Sequence, residues 1–502
     1  MDERPKVRTT EGILQGRRRQ GHAVFRGISY AEPPVGSLRF AAPVQPHHWD
    51  GTLQAAEFGP VVPLSLPIDV DETGGTDWLT LNVCTPDPGA TGLPVLVWFP
   101  VGGYVAATSS DPTYDPTALA AGGLVVVSVN SRVGAEGFAF LDDAPPNRGF
   151  LDQIAALEWV QRNISSFGGD PGQVTVGGVS AGAGSVAALL TMKPARSLFR
   201  RAITHSVPGM HATAALARET TAALAKRLGV APTASALRDI EPWRLAAEVT
   251  SLNAGLHAYR ERWGRITESG TSLCPVIDGE VLSETPWPAL THGRASGIEL
   301  LVGHTRDEFR LFSVTTGRRG SFTDEDARAA LDLLAPPPHG ADAYRSAHPQ
   351  ATPEELLEAV YSDAFFRMPS LQLGEANAAA GGASYLFELR WPSPARGGIL
   401  GACHSLDIPL AFGTLNGPIG TALIGDPPTP EAFAVSRELQ QSWIDFVTYG
   451  TPGWAAYQPD QQLTRVLDAT PETRPYPEQA SRHIWSDHHP APFDLPTPGR
   501  HP

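Results

Sequence analysis

The chain has 502 residues, 42% of them hydrophobic, and a formal net charge of −15. That apolar fraction supports a large core, and the length prior alone would divide the chain among two or three domains. An acidic surface repels nucleic-acid phosphates and anionic membranes, so neither is an expected partner.

Short apolar runs bounded by Gly, Pro or Asn recur through the first half. Residues 94–99, 124–129 and 174–176 read as buried strands, and 151–164 has helical spacing with Ile154, Leu157 and Val160 on one side. Further strands are expected at 202–204, 298–302 and 385–389. Strands alternating with helices predict a mainly parallel sheet covered on both faces. The middle of the chain is more helical. Residues 213–228 end at Gly229, Thr323 opens a T-x-x-D capping pattern, and Thr352-Pro353-Glu354-Glu355 places Pro at a first helical position. The stretch from about residue 475 is rich in Pro and His and is expected to hug the surface.

Cys84, Cys274 and Cys403 are too few and too scattered for a disulfide framework or a zinc site. The N-terminal Met1-Asp2-Glu3-Arg4-Pro5-Lys6 lacks a signal-peptide core, and no run has the length of a membrane span. The expectation is a cytoplasmic monomer with no metal and no organic cofactor.

The most informative segment is Val174-Thr175-Val176-Gly177-Gly178-Val179-Ser180-Ala181-Gly182. It holds G-x-S-x-G directly after a predicted strand and before a small-residue helix at 181–190. A serine on so tight a turn needs small residues two before and two after it, and the turn exposes its Oγ. The helix that follows aims its N-terminal dipole at a developing oxyanion.

The chain here resembles the type-B carboxylesterase/lipase family, which includes the cholinesterases and bacterial para-nitrobenzyl esterases. The likeness extends along nearly the whole chain. It is carried by Phe25-Arg26-Gly27-Ile28-Ser29-Tyr30-Ala31-Glu32-Pro33-Pro34, by Asp77-Trp78-Leu79-Thr80-Leu81-Asn82-Val83, by Asn147 with Asp152-Gln153, and by Pro275-Val276-Ile277-Asp278-Gly279. The resemblance implies an α/β-hydrolase fold: one domain over 1–502, with a large, mostly parallel sheet flanked by helices. Helical insertions near 208–270 and 320–370 would form a cap or regulatory region.

The resemblance also implies a catalytic triad of Ser180, Glu308 and His404. Glu308 closes Gly303-His304-Thr305-Arg306-Asp307-Glu308, with Asp307 as the alternative acid. His404 stands in Gly401-Ala402-Cys403-His404-Ser405-Leu406-Asp407-Ile408-Pro409. The oxyanion hole would be the backbone N–H groups of Gly102, Gly103 and Ala181. Tyr104, Val101, Val179, Phe312 and Phe365 are candidate pocket residues, and Phe138 and Phe366 could join them. The implied activity is hydrolysis of a small-molecule carboxylic ester. Triad-based acyl transfer or cyclisation is the second reading, and a non-catalytic binding protein the third.

The chain departs from the family pattern at Pro100 and Val101 (usually His-Gly), at Val179 (usually acidic), and at His205 and Val207 (usually Gln and Gly). Their clustering near the serine suggests a pocket remodelled for a bulky apolar substrate, with neutral divergence in a generic esterase as the equal alternative. Secreted relatives carry a loop disulfide whose halves would fall near 59–62 and at Trp78. Neither position holds Cys, as suits a reducing compartment.

Overall fold

The computed structural model describes residues 4–65, 75–100 and 102–496. Its main sheet has eleven strands: β1 Arg17–Arg19, β2 His22–Ser29, β3 Thr80–Thr85, β4 Leu93–Phe99, β5 Val125–Val129, β6 Gly169–Val179, β7 Arg201–His205, β8 Glu299–Thr305, β9 Ser384–Leu389, β10 Leu463–Leu467 and β11 Glu472–Pro475. Their spatial order is β11-β10-β9-β8-β7-β6-β4-β5-β3-β2-β1. The block from β10 across to β5 is parallel, and the strands outside it on both sides are antiparallel.

The central strands are buried on both faces, and this explains why they read as continuous apolar runs rather than alternating ones. β6 begins well before the expected residue 174, because Gly169 pairs with Leu93 ahead of a register shift. The helices that bear on the site are α1 Arg148–Asn163, α2 Ala181–Leu189, α3 Ala214–Leu228, α4 Pro242–Ala254, α5 Asp324–Leu334, α6 Pro353–Ser362, α7 Met368–Ala379, α8 Asp407–Phe412 and α9 Pro430–Tyr449. α1 starts earlier than the apolar spacing indicates. Arg148 is fully buried in its first turn, and its guanidinium donates to the carbonyls of Ala135, Glu136, Ala139 and Pro145.

Local capping chemistry sets several helix ends. Thr213 caps α3, and Gly229 closes it in the left-handed region at φ 72°. Thr323 with Asp326 and Thr352 with Glu355 form reciprocal capping boxes on α5 and α6. Helices populate both stretches expected as insertions, with α3 and α4 in the first and α5 and α6 in the second.

Two core layers sandwich the sheet. On one side α1, α2 and α7 pack on it, with Trp159, Val186 and Leu373 fully buried. On the other, α8 and α9 contribute Leu410, Phe412, Trp443 and Phe446 beside Trp98 of β4. The C-terminal stretch does more than hug the surface, which corrects the expectation for it. Trp485 and Phe493 are buried, and Phe493 bridges to Ala212, so these large side chains anchor the segment. No helix among the described residues is long and apolar enough to cross a membrane.

Candidate active site

β6 delivers Ser180 to the turn before α2, where the serine adopts φ 54° and ψ −125°. Such a backbone is costly for a residue with a Cβ and persists only where its surroundings enforce it. Here the Ser180 N–H donates to the His205 carbonyl at 2.9 Å, and the Ser180 carbonyl accepts from Gly184 N–H at 2.9 Å. Gly178 and Gly182 make the turn possible. A Cβ on Gly178 would strike the backbone of Gly182, and one on Gly182 would strike the Phe99 carbonyl.

His404 precedes α8 in a loop laced to the loop after β8. Asp307 N–H donates to the Ala402 carbonyl, and Ala402 N–H donates to Asp307 Oδ2, both at 2.9 Å. This lacing brings Glu308 to His404, with Oε2 at 2.5 Å from Nδ1. The other oxygen, Oε1, accepts from Thr305 N–H at 2.9 Å and from Ser206 Oγ at 2.5 Å. Burial pushes the Glu308 carboxyl up, but the neighbouring His404 and the bonds from His404 and Ser206 outweigh it and hold Glu308 below its ordinary range. An ionised carboxylate only accepts, so His404 Nδ1 carries a proton, and in the neutral imidazole Nε2 is the nitrogen that can accept one.

Asp307, the alternative acid, is engaged elsewhere. Its carboxylate pairs with Arg306 at 2.9 Å and Arg310 at 3.5 Å. The Cys403 thiol beside His404 is pushed up to about 12, chiefly by burial, so it stays protonated and unreactive at neutral pH.

Ser180 and His404 both line a cavity of about 690 Å³, together with Gly102, Gly103, Tyr104 and Ala181. Among the described residues, Ser180 Oγ and His404 Nε2 do not hydrogen-bond to each other; such contacts are often long before substrate binds. Among the described residues, the N–H groups of Gly103 and Ala181 donate to no acceptor. Gly102 turns the chain so tightly that a Cβ there would overlap the Ala106 carbonyl, and its own carbonyl accepts from Val105 and Ala106.

Apolar side chains dominate the remaining wall. Phe309, Leu311, Phe312, Phe365, Phe366, Met210, Leu400, Ile408 and Leu423 all line it. Phe365 and Phe366 sit in a π-helical turn, Asp363–Arg367, between α6 and α7. The extra residue in such a turn shifts the side-chain direction, a device frequent at functional sites. The Phe366 and Phe312 rings lie 4.4 and 5.4 Å from the His404 ring.

The structure therefore places Tyr104, Phe312, Phe365 and Phe366 on the cavity and corrects two other expectations. Val179 does not line the cavity. It is still in the strand and packs in the layer holding Trp98, Phe387 and Trp443, because the chain reverses only at Ser180. Phe138 stands behind Tyr104, with ring centroids 5.3 Å apart, and borders a separate small pocket with Pro100. Val101 lies outside the described residues. His205 and Val207 are fully buried and also absent from the cavity wall. Of these departures, Val179 and His205 thus alter the layer that holds Trp443 rather than the cavity surface, and Val207 lies in the core layer on the other side of the sheet.

The sheet order, the strand–Ser180–helix turn and the His404–Glu308 pair beyond β8 define an α/β-hydrolase. The chain belongs to the Carboxylesterase family, whose model matches residues 3–485, and is a carboxylic ester hydrolase. It is similar to a para-nitrobenzyl esterase of Bacillus subtilis (strain 168), with 34% identity over 494 residues spanning 95% of this chain and 97% of the relative. A phenmedipham hydrolase of Pseudarthrobacter oxydans is also 34% identical, over 93% of this chain and 96% of its own. Among solved structures, a carboxylesterase of Geobacillus stearothermophilus superposes with a TM-score of 0.85 at 32% identity, covering 96% of this chain and all of that one (100%).

Proposed function

We propose that the chain hydrolyses carboxylic esters through an acyl-enzyme on Ser180. The observation that carries this reading is the 2.5 Å contact between Glu308 Oε2 and His404 Nδ1, with His404 lining the same cavity as Ser180, Gly102, Gly103 and Ala181.

His404 Nε2 accepts the Ser180 Oγ proton as Oγ attacks the ester carbonyl, and the oxyanion rests against the N–H groups of Gly102, Gly103 and Ala181. The same nitrogen then protonates the departing alkoxide. Water enters, gives a proton to Nε2 and attacks the acyl carbon, and the collapse of that adduct returns the proton to Ser180. Glu308 keeps the imidazole in the Nδ1–H tautomer and stabilises the imidazolium between steps. The apolar cavity of about 690 Å³ supports a preference for short- to medium-chain or bulky apolar esters, whose hydrocarbon is driven from water into it. The unit is proposed to be a single α/β-hydrolase domain acting as a monomer on a small-molecule ester.

Turnover of p-nitrophenyl butyrate by the unaltered chain and by Ser180→Ala tests this. The variant should lose on the order of 10^6-fold in kcat. Release of nitrophenol at an equal rate by both proteins overturns the reading.

A further inference from the structure

His205 touches Ser180 directly and is linked to Glu308 through its neighbour Ser206 and to the His404 turn through Asp407, without lining the cavity. Its backbone carbonyl accepts the Ser180 N–H at 2.9 Å. The next residue, Ser206, donates its Oγ to Glu308. Its own side chain meets Asp407, three residues beyond His404, with Nδ1 to Oδ2 at 2.6 Å and both groups fully buried.

The protonation of this pair follows from its third member. Trp443 Nε1–H donates to His205 Nε2 at 3.1 Å, and an indole nitrogen can only donate. Nε2 is therefore bare and Nδ1 carries the proton, which it gives to Asp407. The imidazole is fixed further by Phe387 and Trp443, at centroid distances of 4.5 and 5.2 Å. Asp407 Oδ1 has no hydrogen-bond partner, and Oδ2 takes the His205 bond, so His205 is the one side-chain donor to Asp407 among the described residues. Asp407 opens α8, whose preceding turn carries His404. His205 is also one of the departures from the family pattern and pairs in register with another, Val179. An apolar residue at 179 leaves the imidazole with a single carboxylate to serve.

We infer that His205 is a positioning residue: a second, buried histidine–carboxylate pair, locked by Trp443, that holds the His404 turn in register with Ser180 and Glu308. It rests on the proposed hydrolase reading, because it assigns the pair a part in aligning that triad.

The test compares His205→Phe, His205→Gln and Trp443→Phe with the unaltered chain. It measures kcat and KM for p-nitrophenyl butyrate, the rate at which a p-nitrophenyl alkylphosphonate labels Ser180, and circular dichroism. His205→Phe keeps a ring but removes the donor, and kcat should fall on the order of 10^2-fold, because small misplacements of catalytic groups carry losses of that size. KM should stay within about twofold, as expected when binding of the ground state is untouched. His205→Gln, which retains an amide donor for Asp407, should recover most of the loss. If His205→Phe does not fold, Trp443→Phe carries the test: it frees Nε2, and kcat should fall about tenfold with KM preserved. A folded His205→Phe with unchanged kcat overturns the inference, as does a His205→Gln no faster than His205→Phe or an unchanged Trp443→Phe. Equal phosphonate labelling across all variants overturns the positioning role alone. Failure of the unaltered chain to label at Ser180 overturns the hydrolase reading and this role with it.

Discussion

Ser206 Oγ donates a 2.5 Å hydrogen bond to Glu308 Oε1, the carboxylate oxygen that faces away from the His404 contact. Ser206 holds a positive φ of 55°, and its N–H donates to the Gly303 carbonyl at 2.8 Å. The bond to Glu308 thus comes from a residue fixed between β7 and β8, and it favours the charged carboxylate.

Ser206→Ala should lower kcat about tenfold, the size expected for one lost hydrogen bond to a charged group. Removing the donor raises the Glu308 pKa from its lowered position. Stabilisation of the imidazolium is present while Glu308 is ionised and is lost as pH falls through its folded pKa, so the acid limb of kcat should move to higher pH. A pH–rate profile of Ser206→Ala checks this, and an unmoved acid limb counts against it.

Gly102→Ala should collapse the loop that presents the Gly102 and Gly103 N–H groups, because the new methyl overlaps the Ala106 carbonyl. Loss of an oxyanion donor predicts a fall in kcat of roughly 10^2- to 10^3-fold. Steady-state kinetics on p-nitrophenyl acetate, with circular dichroism to confirm folding, reads the effect.

Phe366→Ala removes a ring that both lines the cavity and lies 4.4 Å from the His404 ring. The enlarged cavity should shift preference toward longer acyl chains, because each buried methylene contributes about 0.8 kcal/mol. The ratio of kcat/KM for p-nitrophenyl octanoate over butyrate should rise by about tenfold. An unchanged ratio would place the acyl chain elsewhere in the cavity.

Glu388 on β9 is fully buried, and neither of its oxygens has a hydrogen-bond partner among the described residues. Burial, reinforced by Glu478, pushes its carboxyl from 4.5 up to about 8; Arg367, Arg390 and Arg306 offset only part of this. The folded chain therefore keeps a proton that the unfolded chain releases. Stability from this site should decline as pH rises from the ordinary carboxyl range to about 8 and then level off, at up to about 1.4 kcal/mol per pH unit. Glu388→Gln should flatten that dependence, with a higher thermal midpoint than the unaltered chain near pH 8. Scanning calorimetry of both proteins across this range is the measurement.

Much of this was local enough to read from sequence. Glycines two before and two after Ser180 are dictated by the clash of any Cβ with nearby backbone, so the turn leaves its mark within a few residues. The capping boxes at Thr323 and Thr352 and the stop at Gly229 are equally local. His404 and Glu308 stood out because their loops resemble a family pattern.

Which way side chains face, and what they meet across the fold, was decided only by tertiary structure. Asp307 and Glu308 are adjacent carboxylates, and the lacing of two loops sends one to arginines and the other to His404. Val179 and His205 lie close to Ser180 along or across the sheet, yet both face the α8 and α9 layer instead of the cavity. A π-helical turn, invisible in the apolar spacing, aims Phe365 and Phe366 at the cavity. Sequence alone determined the nucleophile turn, the capped ends at Thr213, Gly229, Thr323 and Thr352, and the six central strands, since each depends on backbone sterics or burial within a short segment. The His205–Asp407–Trp443 chain joins residues up to 238 positions apart, and the partners of Glu308 and the cavity wall are likewise distant in sequence, so packing of the whole sheet had to fix them.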